Sequence, residues 1–316
     1  MPASKIPEAD IERVLSHVQP FIAQHLNTQS SKSTKRPFIL GLTGLQGSGK
    51  STWTDALVTA LQQGFNYITI NLSLDDLYLD HDELVNVRTN NPSNQLLQAR
   101  GQPGTHDIDI SLAFFQSLMD PSRDTLIPSF DKSLFNGEGG RAPRESWRRV
   151  PAGTSVDVVV FEGWCIGFQP LSDDVIKDTW NKTLQTQATS KYPTRTLKDH
   201  TIEDLLEVNN NLRRYCEIFM GPRHFDYLVH LDTDNLVNVY EWRIQQEHAL
   251  WQMKNQGMTD DEVVKFVKGY MPAYELYLDQ LRDSFFGSRS GCEEKGQLSV
   301  IMDKERKVVK MAGISL

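Results

Sequence analysis

Eight consecutive residues, Gly44-Leu45-Gln46-Gly47-Ser48-Gly49-Lys50-Ser51, have the types and spacing that hold a polyphosphate. Glycines lack a Cβ, so successive backbone N–H groups can turn inward onto phosphate oxygens. The helix that must follow adds partial positive charge at its first turn. Lys50 is placed to reach the β- and γ-phosphates, and the Ser51 hydroxyl to ligate Mg²⁺; Thr52 completes the stretch expected on the nucleotide. With glycine at about 7% of residues, a chain of this length matches the pattern by accident about once in a hundred. The apolar run Phe38–Leu42 stands directly in front, as the buried strand the motif requires. These residues predict a nucleoside-triphosphate site.

Other residues could complete a transfer reaction if strand ends bring them to that site. In open parallel sheets, ligands bind beyond the carboxyl ends of the strands. The run ending at Leu74 delivers Asp75 and Asp76, followed by Tyr78. A carboxylate at Asp75 can orient an incoming hydroxyl and accept its proton, whereas Asp76 is equally suited to capping a helix. The run Val158-Val159-Val160-Phe161 ends in Glu162-Gly163-Trp164, where an acidic group can hold Mg²⁺. The loop Arg100–Asp109 presents His106 toward a substrate, with Asp107 or Asp109 capping the next helix. The glycine-rich stretch Pro128–Arg141 offers Lys132 and Arg141 as counter-charges for an anionic substrate. Arg243, on a long helix, is either an exposed ion-pair partner or a lid arginine that would close over phosphates and stabilise charge there.

The elements that must position these groups follow from periodicity. Apolar residues at helical spacing predict an amphipathic helix over 8–26, then a polar linker over 27–36. Strands are expected at 38–42, 67–74, 125–129, 155–161 and 225–231, with a terminal hairpin from 298–302 and 308–311. Helices are expected at 50–63, 110–119, 201–220, 235–253 and 259–281. Thr201 with Asp204 reads as a capping box. Residues 169–200 read as a polar insertion. The alternation implies an α/β fold with a parallel central sheet covered on both faces. The expected division is 1–36 as a preceding helix and linker, and 37–316 as the catalytic domain with a lid near 235–258.

Composition narrows the classes. The chain has 316 residues and a net charge of −8, which disfavours a general nucleic-acid partner. Cys165, Cys216 and Cys292 are odd in number and widely spaced, which suits a reducing compartment and no metal cluster. No apolar run approaches a membrane span, Met1–Lys5 lacks the pattern of a secretory leader, and the C-terminus carries no prenylation signal. A cytoplasmic location is expected, and oligomeric state is left open. A GTPase is disfavoured, because Asn181-Lys182-Thr183 is followed by Leu184 where a guanine reader has Asp. An ATP-binding regulatory protein with little activity has no use for Asp75.

Taken together, the phosphate loop, Ser73–Tyr78, Arg100–Asp109, Pro128–Arg141, Phe161–Trp164 and Tyr240–Glu247 resemble the P-loop kinases of small metabolites. That group includes uridine kinase, phosphoribulokinase and pantothenate kinase. Phe130-Asp131-Lys132-Ser133 with its downstream glycines, and Glu162-Gly163-Trp164, resemble the D-glycerate 3-kinase family more than uridine kinases. The resemblance implies an ATP- and Mg²⁺-dependent phosphotransferase acting on a small anionic alcohol, with D-glycerate favoured over uridine or pantothenate. It implies Asp75 as general base, Glu162 toward Mg²⁺ and Arg243 as a lid arginine. Superfamily lids often hold several arginines, whereas 235–253 offers Arg243 and then Lys254, with Arg213 or Arg214 as outside candidates.

Overall fold

The computed structural model describes residues 6–32, 35–184, 190–254, 257–287 and 295–315. Cys292 lies outside them. In chain order the elements are α1 (Glu8–Gln29), β1 (Phe38–Gly44), α2 (Lys50–Phe65), β2 (Thr69–Ser73), α3 (His81–Asn90) and α4 (Ile108–Ser117). Four short strands follow as two antiparallel pairs: β3 (Thr125–Ile127) with β6 (Arg148–Val150), and β4 (Phe130–Asp131) with β5 (Gly140–Arg141). Then come β7 (Val158–Gly163), α5 (Asp173–Leu184), α6 (Ile202–Tyr215), β8 (Tyr227–Thr233), α7 (Val237–Lys254), α8 (Asp260–Lys268), α9 (Met271–Asp283), β9 (Gly296–Met302) and β10 (Val308–Ser315).

The central sheet runs β10-β9-β8-β1-β7-β2, with every pairing parallel except β10 on β9. Strands β1, β7 and β8 are buried along their whole length, as expected of apolar strands covered on both faces. The buried residues of α1 (Ile11, Val14, Leu15, Val18, Ile22) join the same core as these strands. Among the described residues, no helix is long and apolar enough to cross a membrane.

Several boundaries differ from expectation for local reasons. The expected helix 259–281 is two helices, because Gly269 ends α8 and Pro272 opens α9. Proline has no N–H to give and its ring excludes the preceding turn. Within 125–129 only Thr125–Ile127 is a strand, and it lies in a small ribbon outside the main sheet. The polar 169–200 stretch contains α5, and α3 starts on an unrecognised capping box in which Asp80 and Glu83 satisfy each other's backbone N–H. The Thr201–Asp204 box is present at α6, which passes into a wider turn over Cys216–Met220. The terminal hairpin forms, and its first strand also extends the central sheet beside β8.

Candidate active site

The phosphate loop joins the buried strand β1 to α2, and its shape rests on glycine at two points. Gly47 and Gly49 have φ of 80° and 90°, a region costly for any residue with a Cβ. Gly44 serves differently: an added Cβ would stand 2.8 Å from the Leu231 Cβ on β8. Leu45 is buried as the loop's apolar anchor, and its carbonyl accepts from Lys50 Nζ at 3.2 Å. Ser48 is buried with its hydroxyl against Gly44, and Gln46 N–H donates to the Tyr274 hydroxyl on α9 at 3.0 Å.

A cavity of about 270 Å³ opens over this loop. Gln46, Gly47, Gly49, Lys50, Ser51 and Thr52 form one wall; Asp75, Lys132, Glu162, Gly163 and Trp164 form the other, and Arg243 and Gln246 close it from α7. Residues from five separate stretches of chain therefore converge at the carboxyl ends of β1, β2 and β7. A larger apolar groove of about 1020 Å³ lies between α1 and α2, with Thr52 at its edge. Its other walls hold no basic group for a phosphate, so it is no rival.

Charge in the cavity alternates. Burial disfavours the Asp75 carboxylate, but the Lys132 ammonium at 2.5 Å, with the Tyr78 hydroxyl donating at 3.0 Å, outweighs it and holds the carboxyl below its usual range. Asp75 is about one-third exposed and ionised. Glu162 moves the other way: burial raises it, against Lys50 and a 2.5 Å hydrogen bond from Ser73 Oγ. Burial also lowers Lys50, although Glu162 and Asp75 pull it back up.

Other expected substrate residues stand behind this cavity rather than in it. Tyr78 is buried and donates to Asp75, which makes it a support for the carboxylate. His106 stacks on Tyr78 at 4.4 Å, and burial lowers its imidazole to about 4, so it is neutral. The Tyr215 hydroxyl already accepts from Gly104 N and His106 N, and lies 3.2 Å from His106 Nδ1. Arg141 does not reach the cavity: its guanidinium pairs with Asp107 at 2.8 Å and donates to the Tyr78 carbonyl. Asp107 also caps α4 through Ile110 N. Asp76 accepts from Phe130 N, fixing the ribbon that carries Lys132.

Arg243 pairs with the buried Glu247, donates to Gln246 at 3.0 Å and lies 5.2 Å from the Phe266 ring centre. Its buried Nε has no hydrogen-bond partner. Arg213 is engaged by Leu171 O and Asp173, and neither it nor Arg214 lines the cavity. The Lys254 side chain lies outside the described ones. Two contributors escaped the sequence reading: Tyr274 on the loop amide, and Arg306, which donates to Gly47 O at 2.7 Å from the β9–β10 turn. Neither belongs to a local motif.

The donor set suits Mg²⁺. Ser51 and Glu162 offer hard oxygens, and Glu162 uses only one of its oxygens on Ser73. Among the described residues no cluster of three or more His, Cys, Asp or Glu could cage a metal. An ion here would depend on phosphate oxygens and water for its remaining ligands, as Mg²⁺ does in nucleotide sites.

No protein-family profile matches the chain. It is 38% identical over 282 residues to the uncharacterized kinase mug58 of Schizosaccharomyces pombe, covering 89% of this chain and 93% of the relative. It is 33% identical over 284 residues to the probable ATP-dependent kinase TDA10 of Saccharomyces cerevisiae, covering 87% and 90%. Among solved structures, D-glycerate 3-kinase from Cryptococcus neoformans var. grubii superposes with a TM-score of 0.82 at 30% identity, covering 96% of this chain and 99% of that one. Such likeness along nearly the full length, with a phosphate loop and a carboxylate in one cavity, makes this protein a phosphotransferase that uses ATP. The chain belongs to the D-glycerate 3-kinase family of P-loop kinases.

Proposed function

We propose that the protein transfers the γ-phosphoryl group of ATP to a hydroxyl of a small anionic metabolite, with D-glycerate the leading acceptor. The observation that carries this reading is Asp75, ionised and partly exposed, in the same cavity as Lys50 and Ser51. The acceptor oxygen attacks the γ-phosphorus, the bond to the β–γ bridging oxygen breaks, ADP leaves and the hydroxyl proton passes to Asp75. The transfer is loose and in line, so orientation matters more than strong basicity. A carboxyl held below its usual range suits that task. Loop amides and Lys50 hold the phosphates, and Arg243 faces the transferred group from α7. Lys132 is the cation on the acceptor side, and it supports an acidic acceptor over a neutral nucleoside. Ser51 and Glu162 would hold Mg²⁺, which when bound neutralises phosphate charge. The name of the Cryptococcus relative supports D-glycerate itself.

The test is ADP release with Mg²⁺-ATP and a panel of hydroxy acids, nucleosides and pantothenate. D-glycerate should stimulate release, and Asp75→Asn should bind ATP normally while turnover falls by about a hundredfold or more. Stimulation by nucleosides alone would overturn the acceptor assignment, and undiminished turnover in Asp75→Asn would remove Asp75 as the base.

A further inference from the structure

The turn between β9 and β10 does more than close a hairpin. Asp303 shapes it, accepting from Glu305 N at 3.0 Å and Lys307 N at 2.9 Å. Arg306 is thereby held at φ 62°, a left-handed conformation that a non-glycine residue keeps only where its surroundings enforce it. Its half-buried guanidinium makes three hydrogen bonds to two other parts of the molecule. Nε donates to Gly47 O in the phosphate loop at 2.7 Å, one terminal nitrogen to Trp242 O at 2.8 Å, and the other to Gln245 Oε1 at 2.7 Å. It also lies 5.7 Å from the ring centre of Trp242, and the Trp242 indole N–H returns a hydrogen bond to Lys304 O at 2.9 Å. The loop and α7 are in contact here: a Cβ on Gly47 would stand 2.8 Å from the Trp242 Cβ and 3.2 Å from the Arg243 nitrogen.

Arg243 is the next residue after Trp242. We infer that Arg306 is a positioning residue for phosphoryl transfer, a clasp that pins the α7 backbone at Trp242–Gln245 to the phosphate loop and so presets Arg243. This rests on the kinase reading for its consequence in turnover, although the clasp itself does not. It also changes the meaning of a lid arginine. Arg243 is held ready from a fixed base. Lysine cannot replace arginine, because one ammonium cannot span three acceptors on two elements in the plane of a fork.

The test uses the full chain with Arg306→Ala, Arg306→Lys, Arg243→Ala and the Arg306→Ala/Arg243→Ala double variant. Arg306→Ala should speed amide hydrogen exchange at Trp242–Gln246 by about tenfold or more. With the acceptor that supports turnover, Arg306→Ala should lower kcat by about tenfold, the size of one or two lost hydrogen bonds. The same change should add little in the Arg243→Ala background, since both act through one group, and Arg306→Lys should recover only part of the loss. Unchanged exchange at α7 overturns the clasp even in a protein that shows no turnover. Losses in kcat that multiply fully with Arg243→Ala overturn action through Arg243. Absence of Mg²⁺-ATP binding by calorimetry in the wild-type chain would instead sink the kinase reading and leave the exchange result to judge the clasp.

Discussion

At the scale of single residues, the pairing of Lys132 with Asp75 has a consequence for pH. The two largest effects on Asp75 oppose each other: burial favours the neutral acid, and the Lys132 ammonium favours the carboxylate. In the wild-type chain the ammonium and the hydrogen bonds win, so the carboxylate persists to lower pH than a free aspartate would allow. Activity that needs an ionised Asp75 is present above its folded-state pKa and lost as pH falls through it. Lys132→Met removes the ammonium and leaves the burial, so the acid limb of the pH–kcat/KM profile should move to higher pH. An acid limb that stays in place would show that Lys132 does not govern Asp75. The same pair illustrates what residue types could not reveal. Lys132 and Arg141 read alike in the sequence, yet only Lys132 faces the cavity, because Asp107 occupies Arg141. Tyr78 and His106 likewise become the layer that holds the carboxylate rather than groups that line the cavity.

At the scale of elements, the loop between β1 and α2 separates two reasons for glycine. Gly49 has φ 90° and open space around its Cα, whereas Gly47 has φ 80° and the α7 backbone against it. Gly49→Ala therefore meets backbone strain alone, roughly 1–2 kcal/mol, and should lower stability by about that amount in urea unfolding. Gly47→Ala adds a clash that neither backbone can relieve cheaply, so it should cost more and weaken ATP binding further. Equal losses in the two variants would mean that the contact with α7 yields easily. The loop was legible from sequence because its rule is local: strand, glycines and lysine at fixed spacing. Helix ends were less legible where the signal was weak in type but strong in place, as with Gly269 and Pro272 between α8 and α9, or Asp80 and Glu83 at α3.

At the scale of the whole molecule, α1 bears on where the catalytic unit begins. Reading 1–36 as a separate preceding part is one division; the packing of α1 favours another. Val14, Val18 and Ile22 are fully buried in the core that contains β1. We propose that α1 and the kinase core unfold together. Ile22→Ala should then cost about 2–5 kcal/mol in a single denaturant transition, with Mg²⁺-ATP affinity unchanged. A separate early transition for α1 would restore the division. The same long-range packing places the β9–β10 turn, α7 and α9 around the phosphate loop, although 259 positions separate Gly47 from Arg306.

By itself, the amino-acid order determined the parallel α/β architecture, the phosphate loop and the acidic strand ends, including Asp75 and Glu162. Each follows from rules that act over a few residues: apolar runs that must be buried, glycines at left-handed positions, carboxylates at the ends of buried strands. Tertiary structure alone decided which cation faces Asp75, that Arg141 serves Asp107, and that Arg306 and Tyr274 brace the loop. Those outcomes depend on which distant side chains share a small volume, and burial there makes each charge take the nearest complementary partner. No spacing along the chain carries that information.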